Sequence, residues 1–356
     1  MNKTLQPNGL PLLVGSLPLE AHDQAAELVF KHTPEIPAWA QLPVHKKEGM
    51  IPQFLPGMPG HTLKNDKHFV DTASLNFEAD LLKFYEEYLA VVNGEADLDG
   101  SRFALTDDVA GGFYALLERL KNLSHAPVAV KGQITGPITF GLGLTDQNGK
   151  AVFYDETLRD AAVKLISQKA RWQVKKLSDF GCPAIIFFDE PALAGFGSSA
   201  YISISGEAVS SCFEEVIAAV HSEGGLAGIH VCSNADWAIL LESSVDIVSF
   251  DAYAYFDRFI LYGDQIKKFL DSGRILAWGI VPTGNPEDIE RATIDSLVGD
   301  WQEKARQVEA LGFAPSRIVA QSLITPSCGT GSLSLDLAMK VLRLTRKVSD
   351  TIRHFG

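Results

Sequence analysis

Apolar segments recur along the chain, each bounded by turn residues, and several are continuously apolar rather than alternating. A continuously apolar segment is typical of a strand buried on both faces, as in a parallel sheet. Helical patterns lie between these segments, most clearly over 155–181, 205–225 and 288–313. Repeated strand–helix–strand units predict a parallel α/β sheet. The predicted strands are 11–16, 127–136, 183–191, 225–233, 246–253, 274–282 and 317–329.

An eighth strand is expected near 36–43 or elsewhere in the first hundred residues. With it, the pattern predicts a (β/α)8 TIM barrel that forms one catalytic domain over residues 1–356. The length of 356 residues suits such a barrel. An open doubly wound sheet is less favoured, because no predicted strand is followed by a dinucleotide-binding glycine turn. The glycine-rich segment 141–149 has the wrong form for that turn.

The charge of the chain limits its partners. Lys and Arg number 31 against 44 Asp and Glu, which gives a net charge of −13. Nucleic acids and anionic membranes attract basic surfaces, so neither is an expected partner. The first twenty residues lack a secretory apolar region, and no segment approaches the roughly 20 apolar residues that span a bilayer. Four scattered cysteines do not suggest a disulfide framework. We therefore expect a cytoplasmic protein with reduced thiols.

Polar residues collect where the predicted strands end. In a parallel barrel, catalytic and binding residues lie at the carboxyl ends of the strands. These positions hold carboxylates, one imidazole and two thiols, so the sequence predicts a functional site at this end of the sheet. The residues are Asp189, Glu190, His230, Cys232, Asp251 and Cys328.

Three of these residues suggest a metal site. His230 and Cys232 are two apart on a strand, so their side chains point to the same side. Cys328, in a Pro- and Gly-flanked turn after the last strand, can add a second thiolate. One imidazole and two thiolates suit zinc, with Asp251 as a fourth ligand or that position left for substrate. The alternative is that these cysteines pack in the core, as we expect of Cys182 and Cys212.

A zinc ion with an open position would have a definite chemical use. It would bind a substrate thiol, lower the pKa of that thiol and hold it as thiolate at neutral pH. A thiolate held in this way is a nucleophile for methyl transfer.

Five ordered motifs resemble one known family. The chain resembles the catalytic barrel of cobalamin-independent methionine synthase and its relatives. Those relatives are zinc-dependent methyltransferases that act with methylated corrinoid proteins, within the uroporphyrinogen-decarboxylase-like barrel superfamily. The motifs are VGSLP at 14–18, KGQITGPIT at 131–139, FDEPAL at 188–193, HVC at 230–232 and PSCG at 326–329.

The resemblance implies roles for particular residues. His230, Cys232 and Cys328 match the zinc ligands of the family, and Asp251 stands where the family has a glutamate as fourth ligand. Ser16 would bind the carboxylate of a homocysteine-like thiol.

Asp189 would bind the ammonium group of that thiol, and Asp189 and Glu190 are the candidate catalytic carboxylates. The alternative for this pair is capping of a helix N-terminus, and the alternative for Ser16 is turn chemistry.

Three departures from the family pattern bear on the substrates. The sequence has no counterpart of the amino-terminal barrel that helps bind folate. The Asp-x-His-Ser-Pro segment, which supplies a proton to the folate, reads VPTGNPED at 281–288. Both departures favour a methylated corrinoid protein over methyltetrahydrofolate as donor. The acidic homocysteine-binding segment is replaced by residues 50–61, so the identity of the thiol stays open.

These features predict a zinc-dependent methyltransferase with chemistry similar to the last step of methionine biosynthesis. One alternative is a metal-free decarboxylase or lyase of the same superfamily. A porphyrin decarboxylase is disfavoured, because residues 37–48 contain none of the arginines that would bind propionates. The other alternative is a non-catalytic module that binds a thiol or a corrinoid.

Overall fold

The computed structural model describes residues 5–195 and 204–355. Strands and helices alternate through most of this chain. The strands are β1 Leu10–Pro11, β2 His61–Lys64, β3 Lys67–Val70, β4 Val130–Thr135, β5 Ala184–Asp189, β6 Leu226–Val231, β7 Ile247–Phe250, β8 Ile275–Val281 and β9 Ser322–Pro326. The helices are α1 His22–His32, α2 Phe77–Val92, α3 Asp107–Lys121, α4 Pro137–Gly143, α5 Glu156–Ser178, α6 Gly206–Ser222, α7 Trp237–Leu241, α8 Ala252–Phe259, α9 Gly263–Asp271, α10 Pro286–Arg291, α11 Ile294–Glu309, α12 Pro315–Ala320 and α13 Leu335–Ile352.

Seven parallel strands form the main sheet, in the order β1-β9-β8-β7-β6-β5-β4. The sheet curls into a half-barrel with β1 and β4 at its two edges. The α/β class is therefore confirmed, whereas the predicted closed (β/α)8 TIM barrel is wrong. Strands β2 and β3 form a separate antiparallel hairpin.

The expected eighth strand fails to form for a local reason. Residues 36–43 lie between the two edges but make only isolated parallel bridges, Ser16 with Gln41 and Ala38 with Lys131. The segment contains Pro37 and Pro43, which have no backbone N–H to donate to a ladder. The edge strand β1 is only two residues long, so it also offers little backbone for pairing.

Alternate residues of the sheet pack into two separate cores, because successive side chains on a strand point to opposite faces. Ile185, Phe187 and Ala277 belong to an inner cluster on the concave face. Ile186, Phe188 and Trp278 belong to the larger cluster between the sheet and the helices. Both faces of the strands are thus buried, which explains their continuously apolar sequences.

The helices begin where the sequence supplies caps. The Asp155 side chain accepts a hydrogen bond from Leu158 N at the start of α5, and the Ser205 side chain does the same for α6. The predicted helix over 288–313 is two helices, α10 and α11, because Thr293 forms a new capping box with Ser296. Along the described ranges, no helix is both long and apolar enough to cross a membrane.

Gly112 allows α3 to lie directly against the segment between the sheet edges. A Cβ atom at this position would overlap the carbonyl oxygen of Ala40. We expect Gly112→Ala to lower the free energy of unfolding by about 2 kcal/mol, since a backbone cannot yield as a flexible side chain does. Chemical denaturation measures this change. Gly299→Ala is the matched control: it lies in α11, where a Cβ meets no atom of the described residues within 4 Å, and should leave stability unchanged or raise it by up to about 1 kcal/mol.

Candidate metal and substrate site

The structure brings three of the predicted ligands together. The candidate ligand atoms of His230, Cys232 and Cys328 all lie within 4.8 Å of one another. His230 stands near the end of β6, and Cys232 follows that strand. Cys328 follows β9. Strands β7 and β8 separate β6 from β9 in the sheet, so the group forms across the concave face rather than between neighbouring strands.

The turn that carries Cys328 is held on both sides. Ser327 N donates to Val281 O at 2.8 Å, and Thr330 N donates to Ser16 O at 2.9 Å. A Cβ atom at Gly329 would overlap the Ser16 hydroxyl, so only glycine lets the two loops approach this closely. The position of the Cys328 sulfur is therefore set by backbone contacts.

The two thiols differ strongly in acidity. A hydrogen bond from Cys328, together with the neighbouring His230 imidazole, lowers the pKa of Cys232 to about 4. The same hydrogen bond and burial raise the pKa of Cys328 above its usual range. At neutral pH the two sulfurs therefore share one proton and carry one negative charge between them. A thiolate is the form of cysteine that ligates metals.

Buried polar atoms without hydrogen-bond partners lie beside this group. The described part of the chain offers no hydrogen-bond partner to three buried atoms, His230 Nε2, Asp189 Oδ1 and Thr325 Oγ1. All three residues line one small cavity on the concave face. Buried polar atoms are nearly always satisfied, so such a concentration needs an explanation. A bound cation and a polar substrate would satisfy these atoms.

The donor set fits zinc. His230 Nδ1 lies 2.9 Å from Ser249 Oγ, which leaves Nε2 as the ring nitrogen directed at a ligand. Ligating histidines are typically held in this way through their other nitrogen. An imidazole and two cysteine sulfurs form a soft set suited to tetrahedral zinc.

Asp251, the predicted fourth ligand, lies outside the 4.8 Å group. It is the N-cap of α8, and its side chain accepts a hydrogen bond from Ala254 N at 2.8 Å. Burial, with the nearby Cys232 charge, raises the pKa of Asp251 to about 6. Its role as a ligand stays a prediction.

Asp189 faces the same cavity as His230, and its Oδ1 atom is buried. Burial raises the pKa of Asp189, although the charges of Lys131 and His230 oppose that shift. A free carboxylate oxygen in this position is suited to a cationic group of a substrate. Its substrate-binding and catalytic roles are still predictions.

Lys131 is a residue of the site that the sequence analysis did not single out. Its Nζ donates to Val14 O at 2.6 Å and to Gln133 Oε1 at 3.0 Å. Burial lowers the pKa of Lys131 to about 8, while Asp189 acts in the opposite direction. The signal in the sequence was the lysine that opens the KGQITGPIT motif within a predicted buried strand, since buried lysines are rare.

Glu190 points away from the cavity. Its carboxylate accepts hydrogen bonds from Ile138 N at 2.9 Å, Thr139 N at 2.8 Å and Thr139 Oγ1 at 2.6 Å. These donors belong to the start of α4, so Glu190 is a cap supplied from another strand end. Burial, despite these hydrogen bonds, raises the pKa of Glu190 to about 7. Nothing in this arrangement supports the predicted catalytic role.

Ser16 lies beside the Cys328 turn. Its Oγ accepts a hydrogen bond from Gly331 N at 3.2 Å, and its carbonyl also accepts from Thr330 Oγ1 at 3.1 Å. Ser16 and Cys328 line a common small cavity. The serine therefore fixes the wall of the site, and substrate binding by Ser16 stays a prediction.

Comparisons with known proteins give no family. No family model matches the chain, and no curated protein matches it. The chain is similar to a B12-independent methionine synthase from a Shewanella species, solved with selenomethionine, at 15% identity and a TM-score of 0.47. That likeness covers 67% of this chain and 66% of the synthase chain, which is just under two thirds.

A second solved structure has a different activity. The chain is similar to the GH20 catalytic modules of the pneumococcal exo-β-D-N-acetylglucosaminidase StrH, at 13% identity and a TM-score of 0.47, over 97% of this chain and 85% of that one. Folds of this kind host many unrelated activities. Neither likeness supports an activity for this chain.

Glu190→Gln separates a capping role from a catalytic one. At pH 6, below the pKa of about 7, ionisation of the buried carboxyl does not itself cost stability, and we expect the substitution to lower the free energy of unfolding by about 1–3 kcal/mol. The reason is that an amide NH2 group would face backbone donors. Denaturant titration measures this loss, and the exposed Glu303→Gln in α11 is the control. Unchanged stability in Glu190→Gln would contradict the capping role.

Proposed function

We propose that this chain is a zinc-dependent methyltransferase that activates a small thiol. The observation that supports the proposal is the convergence of His230, Cys232 and Cys328 within 4.8 Å beside buried polar atoms that lack partners. The motif resemblance to cobalamin-independent methionine synthases supports the same chemistry. When bound, zinc supplies a Lewis acid that lowers the pKa of a substrate thiol and keeps it ionised at neutral pH.

The protein residues prepare this site before any ligand enters. Ser249 orients the His230 ring through Nδ1, so that Nε2 faces the two sulfurs. The hydrogen bond between the cysteines lowers the pKa of Cys232, so only the proton that the two sulfurs share must leave when the ligands bind a cation. Metal binding is therefore expected to release this proton.

The cavity beside the ligands suits an amino-acid thiol. Asp189 Oδ1 can accept hydrogen bonds from an ammonium group, which would also give this buried carboxylate a counter-charge. Lys131 lies beneath it in the same cavity. Its pKa of about 8 leaves Lys131 mostly charged at neutral pH, so it repels a second cation in the cavity. The Lys131–Asp189 pair therefore limits the positions that a substrate ammonium group can take.

A methylated corrinoid protein is the proposed methyl donor. The thiolate sulfur forms a bond to the methyl carbon as the carbon–cobalt bond breaks, and the electron pair stays on the corrinoid. This leaving group requires no proton. A folate leaving group does require one, and in the segment 281–288, VPTGNPED, the positions before Pro286 hold neither the Asp nor the His of the family motif.

The first test of the proposal is zinc content. We expect Cys232→Ser and Cys328→Ser each to lose one zinc ion per chain, measured by mass spectrometry of metals after dialysis. Cys212→Ala is the control, because this buried cysteine has a pKa raised to about 12 by burial and lies outside the group. Normal zinc content in both serine variants would refute the site.

Activity is measured with methylcobalamin as donor and homocysteine or coenzyme M as acceptor. Zinc-dependent formation of the methylated thiol supports the methyltransferase. Stoichiometric zinc and thiol binding without turnover would favour a non-catalytic module, and absence of zinc would favour a metal-free lyase.

Asp251→Asn tests the fourth ligand separately. Asparagine caps a helix about as well as aspartate, so stability should be unchanged. The Asp251 side chain already accepts a hydrogen bond from Ala254 N, so we expect the zinc affinity to fall by less than about tenfold. Loss of a group that hydrogen-bonds to a metal ligand typically lowers the affinity by about 10–100-fold. Competition with a chromophoric chelator measures the affinity. A fall of more than about 100-fold would make Asp251 a ligand.

A further inference from the structure

A second group of potential metal ligands lies outside the site described above. Ligand atoms of His22, His45 and Glu48 all lie within 4.8 Å of one another. His22 is the first residue of α1. Glu48 ends a short 3-10 turn, Lys46–Glu48, and His45 is the residue before that turn. The group thus joins the start of one helix to a turn more than twenty residues later in the chain.

Glu48 is the buried member of the group, with only 4% of its side chain exposed. Its Oε2 accepts a hydrogen bond from Leu42 N at 2.8 Å, and its Oε1 lies 2.6 Å from His22 Nε2. A buried carboxylate requires a positive charge or a full set of donors. The two lysines of the turn do not supply that charge to Glu48, since they pair with Asp66 and Asp108.

The tautomer of His45 can be inferred from its partner. His45 Nε2 lies 2.9 Å from the carbonyl oxygen of Glu20. A carbonyl can only accept a hydrogen bond, so Nε2 carries the proton and Nδ1 of the neutral ring has a free lone pair. A histidine whose one nitrogen donates to a backbone carbonyl while the other is free is the usual arrangement of a metal ligand.

The surroundings leave room for the His22 ring. The His22 and His45 rings stack with centroids 5.3 Å apart. A Cβ atom at Gly111 of α3 would lie 2.7 Å from the His22 ring, so glycine at this position allows the ring to rest on the helix backbone. About a quarter of the His22 side chain is exposed, which gives an ion a path from solvent and a place for a water ligand.

We propose that His22, His45 and Glu48 bind a second divalent transition-metal ion, with zinc as the probe. Two imidazoles and one carboxylate, with an open position for water, suit zinc and its neighbours in the first transition row. The set contains no sulfur, so it differs chemically from the His230, Cys232 and Cys328 group.

This second ion has a structural role. Glu48 holds Leu42 through its backbone N–H, and the adjacent Gln41 bridges Ser16. Ser16 in turn supports the turn that carries Cys328. An ion at the second site therefore fixes the segment that lies between the two edges of the sheet, and metal binding adds to folding stability.

The experiment uses the full chain with Cys232→Ser and Cys328→Ser, which disables the first group. We expect one zinc ion per chain to remain, and added zinc to raise the midpoint of thermal unfolding. Into this background, His22→Ala and Glu48→Gln are introduced separately. The glutamine can still accept from Leu42 N through its carbonyl oxygen, but it then presents an NH2 group in place of the ligand oxygen.

Each of these variants should weaken zinc binding at least about tenfold and abolish the zinc-dependent rise in the midpoint. The control is His125→Ala, because His125 is exposed and belongs to neither group. If the remaining zinc binds equally well in His22→Ala and Glu48→Gln, or if none remains, the second site does not exist. The short His22–Glu48 contact is then an ion pair only.

Cobalt(II) provides a second readout in the unmodified chain. Cobalt bound by thiolates shows a sulfur-to-metal charge-transfer band, whereas a site of nitrogen and oxygen ligands does not. We expect that band to saturate at one equivalent while a second equivalent binds without it. Binding that stops at one equivalent overturns the second site and leaves the first intact, and a sulfur-free spectrum with one ion bound overturns the first site and leaves the second.

Discussion

The register of the parallel sheet determines where the chemistry of this chain can occur. Thr135 pairs with Asp189, Asp189 with His230, and His230 with Ser249. Residues in register on parallel strands point to the same face, so four polar side chains form one row across four strands. In the rows below, Phe187 and Ile185 of β5 belong to the apolar inner core, whereas their partners on β4 are the polar Gln133 and Lys131. A shift of one residue in any strand would bury its polar side chain among the helices and remove it from the site.

The loops above this row complete the site because they are tied to each other. Ser16 and the turn after β9 exchange several hydrogen bonds, and Gly329 permits their close approach. The sheet thus supplies His230 and the loops supply Cys328. Sites of this kind need both parts, since a rigid strand orients one ligand while a constrained turn delivers another from across the concave face.

Much of this arrangement could be predicted from the sequence. Continuous apolar runs located β4 through β9, and the polar residues at their ends include the three that meet. What failed depended on pairing over long distances. Closure of the barrel required residues 36–43 to form a ladder, and prolines together with the short β1 prevent this. The hairpin of β2 and β3 lies in the first hundred residues, where no periodic pattern indicated it.

Side-chain direction was the other limit. Glu190 and Asp251 stand at strand ends, as predicted, but each is turned by the backbone N–H groups of a nearby helix start. The sequence pattern predicts where a residue stands on a strand. The backbone N–H groups that its side chain meets belong to helices, and the positions of these helices are known only from the folded structure.

The same competition for hydrogen-bond donors bears on the free energy of folding at the central site. Capping satisfies Glu190 and Asp251, yet His230 Nε2 and Asp189 Oδ1 are left buried without partners. Each such atom costs about 1–3 kcal/mol. A chain under no functional demand would fill the cavity with apolar side chains. The polar atoms that persist beside the His230, Cys232 and Cys328 group are therefore the structural support for the proposed ion and polar ligand, because both would supply the missing partners.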